Sequence, residues 1–277
     1  MWSTKHLLGR NLFIVPLLFL TLIVGGCAQV PTVQMSPIAA PAGFEVPRAD
    51  WFKLNGSNGH RSVMAVLRPQ GSGPFPVVVV LHGADGLAGR YLSVADDLAR
   101  AGFLVVAGCW QAGEAKTPGN TLCEEASPQT AWIADPAANS GKDLIAAARS
   151  LPDARADRIG LYGMSRGGHA ALWAASTGAG VQAVVADAPA HRPAITPAPP
   201  STLDVVDRLD APLLILHGSS DNVIPVAQSQ EYERAARALG KSISVVYFDG
   251  IGHIASVQPG SQAEARQRAI AFFREKL

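Results

Sequence analysis

The stretch Phe75–Gly83, FPVVVVLHG, limits the fold more than any other part of this chain. Its four consecutive valines are β-branched and no polar residue interrupts them. Such a run is typical of a parallel strand that is buried on both faces. Further apolar strands follow it, and segments with helical periodicity separate them, which predicts βαβ units with right-handed crossovers. We therefore expect an α/β fold with one doubly wound, mostly parallel sheet of about eight strands flanked by helices.

The same periodicity locates the individual elements. Strands are predicted at 61–69, 75–83, 103–110, 158–163, 181–189, 211–218 and 242–250, and helices at 91–102, 140–152, 166–176, 202–209, 227–240 and 261–277. In open sheets of this kind, functional groups gather at the carboxyl ends of the strands. The residues that follow each predicted strand are therefore the candidates for a site.

Composition bounds the domain and its partners. Of the 277 residues, 48% are hydrophobic and 16% are charged, which is enough to bury the core of one domain at 51–277. The formal net charge is +1, so the chain lacks the basic surplus by which proteins bind nucleic acid. We expect a small-molecule substrate and no nucleic-acid partner.

The first residues have the pattern of an export signal. Basic residues precede an apolar run at 12–24, and Gly25, Gly26 and Cys27 follow it. A membrane-spanning helix needs about 20 apolar residues, so this run is short for a span and fits the core of a signal peptide. Residues 1–26 are predicted to be that signal peptide.

The letters VGGC, which end at Cys27, resemble a bacterial lipobox, in which the cysteine is acylated and becomes the mature N-terminus. Residues 27–50 would then be a lipidated tether, because they are rich in Pro and Ala. The resemblance implies a protein that is lipid-anchored on the periplasmic side of the bacterial cell envelope. Ala28 and Gln29 follow the cysteine, with no aspartate for inner-membrane retention, which favours the outer membrane. The alternatives are an ordinary signal peptide and a membrane anchor.

The remaining cysteines form an even pair. The chain has three cysteines, so lipidation of Cys27 leaves Cys109 and Cys123. Disulfides persist in oxidising compartments outside the cytosol. We therefore predict a Cys109–Cys123 disulfide, with two separate thiols as the alternative.

A serine flanked by glycines marks the candidate nucleophile. Gly163-Met164-Ser165-Arg166-Gly167 fits G-x-S-x-G, with a predicted strand before it and a predicted helix after it. In that context the serine sits on a strained turn, and the glycines avoid collisions with the neighbouring strand and helix. Ser165 is therefore the predicted nucleophile, and a tight structural turn is the alternative.

A serine hydroxyl needs a base, and the base needs an orienting acid. His253 directly follows the last predicted strand, and Asp221 directly follows the strand before it. We predict His253 as the base and Asp221 as the acid, with Asp187 as the runner-up and Asp249 as a poorer candidate. The chain order Ser, Asp, His is that of the α/β-hydrolases.

Two backbone N–H groups are predicted to bind a developing oxyanion. Arg166 opens the helix that follows the nucleophile, and Ala84 lies in the loop after the valine-rich strand. These are the two positions from which α/β-hydrolases supply such donors.

Four stretches of the sequence together resemble the dienelactone hydrolase-like branch of the α/β-hydrolases. They are VVLHGADGL, GMSRGGHAALWAA, APLLILHGSSDNVIPV and GIGHI, and the resemblance extends from residue 53 to the C-terminus. It implies the α/β-hydrolase fold, activity on esters and lactones, and no metal or organic cofactor. The dienelactone hydrolases proper carry a cysteine nucleophile, and Ser165 stands here instead, which favours the wider set of serine esterases.

These expectations combine into one functional hypothesis. The chain is predicted to be an exported, membrane-tethered serine hydrolase that cleaves carboxylic esters through an acyl-enzyme on Ser165. The alternatives are a peptidase or amidase of the same fold and a non-catalytic binding lipoprotein. The loops 111–135 and 191–204 have no readable pattern, so neither the ester nor the oligomeric state follows from the sequence.

Overall fold

A single mixed sheet forms the centre of the protein. The computed structural model describes residues 33–56, 61–111, 122–123, 141–193 and 198–277. The predicted signal peptide, Cys27 and most of the loop 111–135 lie outside these residues.

The sheet has nine strands in the order β1-β2-β3-β5-β4-β6-β7-β8-β9. Neighbours from β1 to β5 in this order run antiparallel, and the strands from β5 to β9 run parallel. The predicted doubly wound, mostly parallel sheet is confirmed, with one strand more than expected. The strands are β1 (Gln34–Ile38), β2 (Ala49–Asn55), β3 (Arg61–Leu67), β4 (Phe75–Leu81), β5 (Leu104–Gly108), β6 (Ala154–Met164), β7 (Ala183–Asp187), β8 (Leu213–Gly218) and β9 (Ile243–Phe248).

Helices cover both faces of the sheet at the predicted places. They are α1 (Gly89–Arg100), α2 (Gly141–Ser150), α3 (Arg166–Ser176), α4 (Ala227–Ala238) and α5 (Gln262–Lys276), with 3₁₀ helices at Thr202–Arg208 and Ala255–Val257. None of the helices in the described ranges has the length and apolar character that crossing a membrane requires.

The buried core forms two layers, one on each face of the sheet. The valines of β4 alternate between them: Val78 and Val80 face the layer of α1 and α5, whereas Val77 and Val79 face the layer of α2, α3 and α4. This two-sided burial explains why β4 is apolar at every position and not only at alternate ones.

The sheet begins earlier than the sequence predicted. Gln34–Ile38 lies inside the predicted tether 27–50, and it pairs antiparallel with β2 from Gln34↔Asn55 to Ile38↔Trp51. Pro37 has no N–H to donate, but β1 is the edge of the sheet, where proline is tolerated because one side of the strand needs no ladder hydrogen bond. The folded domain therefore extends back from residue 51 to Gln34.

The C-terminal helix packs closely on the strand that leads to Ser165. A Cβ atom at Gly160 in β6 would lie 2.6 Å from Cε1 of Phe273 in α5. That ring is fully buried, with its centroid 6.0 Å from the ring of Phe103 and 6.4 Å from that of Tyr162. The ring therefore has little room to move away, and glycine at position 160 permits the contact.

We expect Gly160→Ala to lower the free energy of unfolding by about 1–3 kcal/mol, the usual cost of overpacking a core. Gly89→Ala is the matched control, because a Cβ there meets nothing within 4 Å and the residue opens a helix. That variant should be as stable as the wild type or slightly more stable, since alanine lowers the entropy of the unfolded chain. Urea unfolding measures both, and equal midpoints for the two variants would contradict this packing.

Candidate active site

Ser165 sits on a sharp turn between β6 and α3, with φ 55° and ψ −116°. A Cβ at Gly163 would collide with the backbone of Gly167 and Gly168. A Cβ at Gly167 would collide with the backbone oxygens of Leu81 and the residue after it. Both glycines are therefore required by close backbone contacts, Gly163 within the turn and Gly167 against the end of β4, as the sequence predicted.

Hydrogen bonds hold this unusual backbone in place. Non-glycine residues rarely adopt a positive φ, and such residues persist only where their surroundings over-determine them. The Ser165 N–H donates to the carbonyl oxygen of Asp187 at 2.8 Å, and the Ser165 carbonyl accepts from Gly168 N at 2.9 Å and Ala190 N at 3.2 Å. The serine is thereby fixed by the end of β7 and by its own helix.

Ser165, His253 and Asp221 form one hydrogen-bonded row. His253 Nδ1 lies 2.7 Å from Asp221 Oδ2, and His253 Nε2 lies 2.8 Å from Ser165 Oγ. Because a carboxylate only accepts hydrogen bonds, Nδ1 carries the imidazole proton and Nε2 is free to accept from the serine. The structure thus brings together the three side chains that the sequence singled out from three different loops.

The other carboxylate oxygen of Asp221 is also occupied. Its Oδ1 accepts from Val223 N at 2.8 Å and from Ile224 N at 2.9 Å. Burial acts to raise the pKa of Asp221, but the hydrogen bonds from His217, His253 and Ile224 outweigh it and leave the pKa well below its usual range. The carboxylate is therefore ionised wherever the protein is folded near neutral pH.

The loop that carries His253 is strained directly after the histidine. Ile254 has φ 63° and ψ 87°, a left-handed conformation that is costly for a β-branched residue. Gln258 Nε2 donates to the carbonyl oxygen of His253 at 2.7 Å, and Ser261 Oγ donates to that of Ala255 at 2.8 Å. These bonds fix both sides of the strained residue.

Asp187, the runner-up acid, does not contact His253. Its carboxylate accepts from Ala255 N at 2.9 Å and from Ser256 N at 2.8 Å, so it clamps the histidine loop to the end of β7. Burial raises the pKa of this carboxyl group, and the bonds from Ser256 and Ala255 act against that rise. Asp249 accepts a hydrogen bond from Ser219 Oγ at 3.1 Å and is likewise not the partner of His253.

The two predicted oxyanion donors lie on elements that touch at the Ser165 turn. Arg166 is the first residue of α3 and directly follows Ser165. Ala84 follows β4, which pairs with β6 so that Leu81 lies opposite Gly163. Both loops therefore open at the same sheet edge as Ser165.

Cys109 and Cys123 form a disulfide, with their Cα atoms 5.2 Å apart. The bond joins the end of β5 to Leu122–Cys123, a segment that contacts the loop after β4. Cys123 Sγ accepts from Leu87 N at 3.0 Å, and Leu122 N donates to the Leu87 carbonyl at 3.4 Å. The disulfide thereby anchors the loop that carries Ala84.

One group in the described part of the chain has the composition of a metal site. The ligand atoms of His82, Cys109 and Cys123 all lie within 4.8 Å of one another. Cysteine binds metal as the thiolate, and here the two sulfurs are bonded to each other, so this group is a disulfide beside a histidine. Burial lowers the pKa of His82 to about 4, and its Nδ1 donates to the Gly83 carbonyl at 2.7 Å. His82 is therefore a neutral residue that orders the loop.

This arrangement has the parts that acyl transfer requires. A serine hydroxyl that donates to an imidazole, which is held in turn by a buried carboxylate, can be activated as a nucleophile. Helix N-terminal N–H groups beside it can stabilise an oxyanion.

Comparisons with known proteins show which sequences and folds this chain is similar to. The pattern of the dienelactone hydrolase family matches residues 63–277. A Bradyrhizobium protein described as a probable 2-oxo-3-(5-oxofuran-2-ylidene)propanoate lactonase is 30% identical over 208 residues, which is 74% of this chain and 82% of that protein. A dienelactone hydrolase structure from Anabaena variabilis is similar with a TM-score of 0.57 and 21% identity, covering 90% of this chain and 99% of that one. The acylaminoacyl peptidase of Pyrococcus horikoshii shares the fold, with a TM-score of 0.65 and 18% identity over 90% of this chain and 42% of the peptidase.

The sequence did not reveal the clamp role of Asp187. Its position after β7 made it a candidate acid, but nothing in the sequence paired it with Ala255 and Ser256, which lie far along the chain. The available signal was a carboxylate at the end of a predicted buried strand.

We expect Asp187→Asn to lower kcat for hydrolysis of a chromogenic ester roughly 10-fold, with KM little changed. The amide replaces one acceptor oxygen by an NH₂ group that faces a backbone N–H, so the strained loop loses one bond and His253 loses its fixed position. Asp249→Asn is the matched control, since Asp249 also follows a strand but accepts only from Ser219 among the hydrogen bonds described. Equal kcat values for the two variants, measured by steady-state kinetics, would contradict the clamp.

Proposed function

Since the chain belongs to the dienelactone hydrolase family, we propose that it cleaves carboxylic esters and lactones through an acyl-enzyme formed on Ser165. The observation that carries this proposal is the hydrogen-bonded row of Ser165, His253 and Asp221, with contacts of 2.8 Å and 2.7 Å. The lactonase description of the Bradyrhizobium relative supports a cyclic ester as one substrate form.

The first half of the proposed reaction forms the acyl-enzyme. Ser165 Oγ attacks the ester carbonyl carbon while His253 Nε2 takes the hydroxyl proton. The carbonyl oxygen becomes an oxyanion, which accepts hydrogen bonds from the N–H groups of Arg166 and Ala84. As the carbonyl re-forms, the bond to the leaving alcohol breaks and His253 gives its proton to that oxygen. In a lactone the alcohol stays tethered to the acyl group.

The second half restores the enzyme. A water molecule attacks the acyl carbon while His253 Nε2 takes one of its protons, and the same oxyanion position is used again. Collapse of the intermediate releases the carboxylic acid, and the proton returns to Ser165 Oγ. Asp221 stays ionised throughout, so it stabilises the imidazolium form of His253 in both halves without receiving the proton.

We expect Ser165→Ala to lower kcat/KM for p-nitrophenyl acetate by at least about 10³-fold, the usual effect of removing such a nucleophile. Ser176→Ala, a buried serine at the opposite end of α3, is the matched control and should keep wild-type activity. A fluorophosphonate probe should label the wild type and the control but not Ser165→Ala.

A substrate panel separates the proposal from its rivals. Esters of graded acyl length, lactones and peptide amides are assayed at equal concentration. Hydrolysis of amides faster than esters would show that the protein is a peptidase and not an esterase. Absence of both turnover and labelling would favour the non-catalytic binding protein over the enzyme.

We also propose that the chain is exported and attached to the membrane of the bacterial envelope through a lipid on Cys27. The support is the short apolar run that ends in VGGC, followed by the Pro- and Ala-rich segment.

For the full-length chain expressed in a Gram-negative host, we expect an alkyne-labelled fatty acid to be incorporated and the protein to sediment with membranes. Cys27→Ser should abolish both, whereas Gln29→Ala should change neither. Wild-type protein that carries no lipid by intact-mass measurement would refute the anchor.

A further inference from the structure

A row of four buried polar side chains extends from the Oδ2 atom of Asp221, the same oxygen that His253 contacts. Each member lies on a different element and is 0% exposed. We call this set the Asp221 row; its members are His217 at the end of β8, Ser229 in α4, His191 in the loop after β7, and Thr202 at the start of a 3₁₀ helix.

The contacts of the Asp221 row are continuous. His217 Nε2 lies 3.2 Å from Asp221 Oδ2, and His217 Nδ1 lies 2.7 Å from Ser229 Oγ. Ser229 Oγ lies 3.4 Å from His191 Nε2, and His191 Nδ1 lies 2.7 Å from Thr202 Oγ1. None of the hydrogen bonds described joins a member of the row to Ser165, whereas His217 contacts Asp221 directly.

One carbonyl group decides where the protons lie. His217 Nε2 is 3.0 Å from the carbonyl oxygen of Ile224, which can only accept a hydrogen bond. Nε2 therefore carries a proton, and it points at two acceptors, this carbonyl and Asp221 Oδ2. In the neutral ring Nδ1 is then an acceptor, so the Ser229 hydroxyl must donate to it.

The remaining members of the row have their proton positions fixed by their neighbours. Since the only hydroxyl proton of Ser229 is directed at His217, its oxygen faces His191 with lone pairs, and His191 Nε2 must carry the proton of that contact. His191 Nδ1 is then an acceptor, and the Thr202 hydroxyl donates to it. Every proton in the row consequently points towards Asp221.

The surroundings of His191 keep it neutral, which this direction requires. Burial lowers the pKa of His191 well below its usual range, and His169, His217 and Arg192 lower it further. Its ring also stacks on Tyr232, with the centroids 4.4 Å apart. A neutral imidazole has only one N–H to donate, and the stacking on Tyr232 fixes the orientation of the ring.

We propose that the Asp221 row is a positioning device that keeps Asp221 fixed and able to orient His253, by directing four successive hydrogen bonds towards its Oδ2 atom. Hydrogen bonds that point the same way polarise one another and strengthen the last of them. Asp221 needs such a donor because its side chain has no exposed surface to share with water. This inference rests on the proposed function only in its kinetic consequences, since the proton positions do not depend on activity.

The direct test is nuclear magnetic resonance of the full-length chain labelled with ¹⁵N at its seven histidines. His217 and His191 are assigned by the signals that disappear in His217→Gln and His191→Gln. We expect both as neutral Nε2–H tautomers at pH 7. A His217 that is protonated on Nδ1, alone or together with Nε2, would reverse the row and overturn the proposal.

The kinetic test compares variants that keep or remove the donors. His217→Phe should lower kcat roughly 10- to 100-fold, as expected for losing a hydrogen bond to a charged group, and leave KM unchanged. His217→Gln, which retains an N–H donor, should recover most of that loss. Ser229→Ala should lower kcat roughly 3- to 10-fold, because the row then ends at His217.

Two controls make the outcome decisive. Ser62→Ala removes another buried hydroxyl, in β3 and outside the Asp221 row, and should keep wild-type kcat. Thermal unfolding of each variant shows that it is folded, and Ser229→Ala keeps the test valid if His217→Phe does not fold. Wild-type kcat in folded Ser229→Ala would overturn the positioning role. If Ser165→Ala retained activity instead, the proposed function would fail while the tautomer result stood on its own.

Discussion

The carboxylate and the carbonyl group of Asp187 connect the two loops that must meet for the candidate site to exist. The carbonyl accepts from Ser165 N at 2.8 Å, and the carboxylate accepts from Ala255 and Ser256 N at 2.9 and 2.8 Å. The turn after β6 and the loop after β9 are thus both registered to the end of β7. The 2.8 Å contact between Ser165 Oγ and His253 Nε2 depends on the attachment of both loops to Asp187.

Backbone strain collects at the same edge of the sheet. Ser165, Ala188 and Ile254 are three of the four described non-glycine residues with positive φ, at 55°, 49° and 63°. Each lies at or directly after a residue that the site uses. Strain of order 1–3 kcal/mol per residue persists only where hydrogen bonds and packing leave no alternative. Here the hydrogen bonds of Asp187, Gln258 and the β7–β8 edge supply that constraint.

Features encoded by residues close together in the sequence could be predicted, and features that depend on residues far apart could not. The strands and helices have local periodicity, and G-x-S-x-G is a pattern of five adjacent residues, so both were predictable, although the contact that requires Gly167 is with Leu81 at the end of β4. β1 was missed because Pro37 is acceptable only at an edge, and edge position is a property of the whole sheet. The Asp221 row was missed because its members come from four separate elements, and no local pattern joins His191 to Ser229.

Two buried carboxylates that follow adjacent strands, those of Asp221 and Asp187, have different roles. Asp221, after β8, receives N–H donors from two imidazoles and from the backbone, and its pKa lies below the usual range. Asp187, at the end of β7, accepts from backbone N–H groups that carry no charge, and burial raises its pKa. Only a carboxylate that stays ionised beside an imidazole can stabilise that ring as it becomes positive. The environment, rather than the residue type, therefore assigns Asp221 to orient the base and Asp187 to hold the loop on which the base is carried.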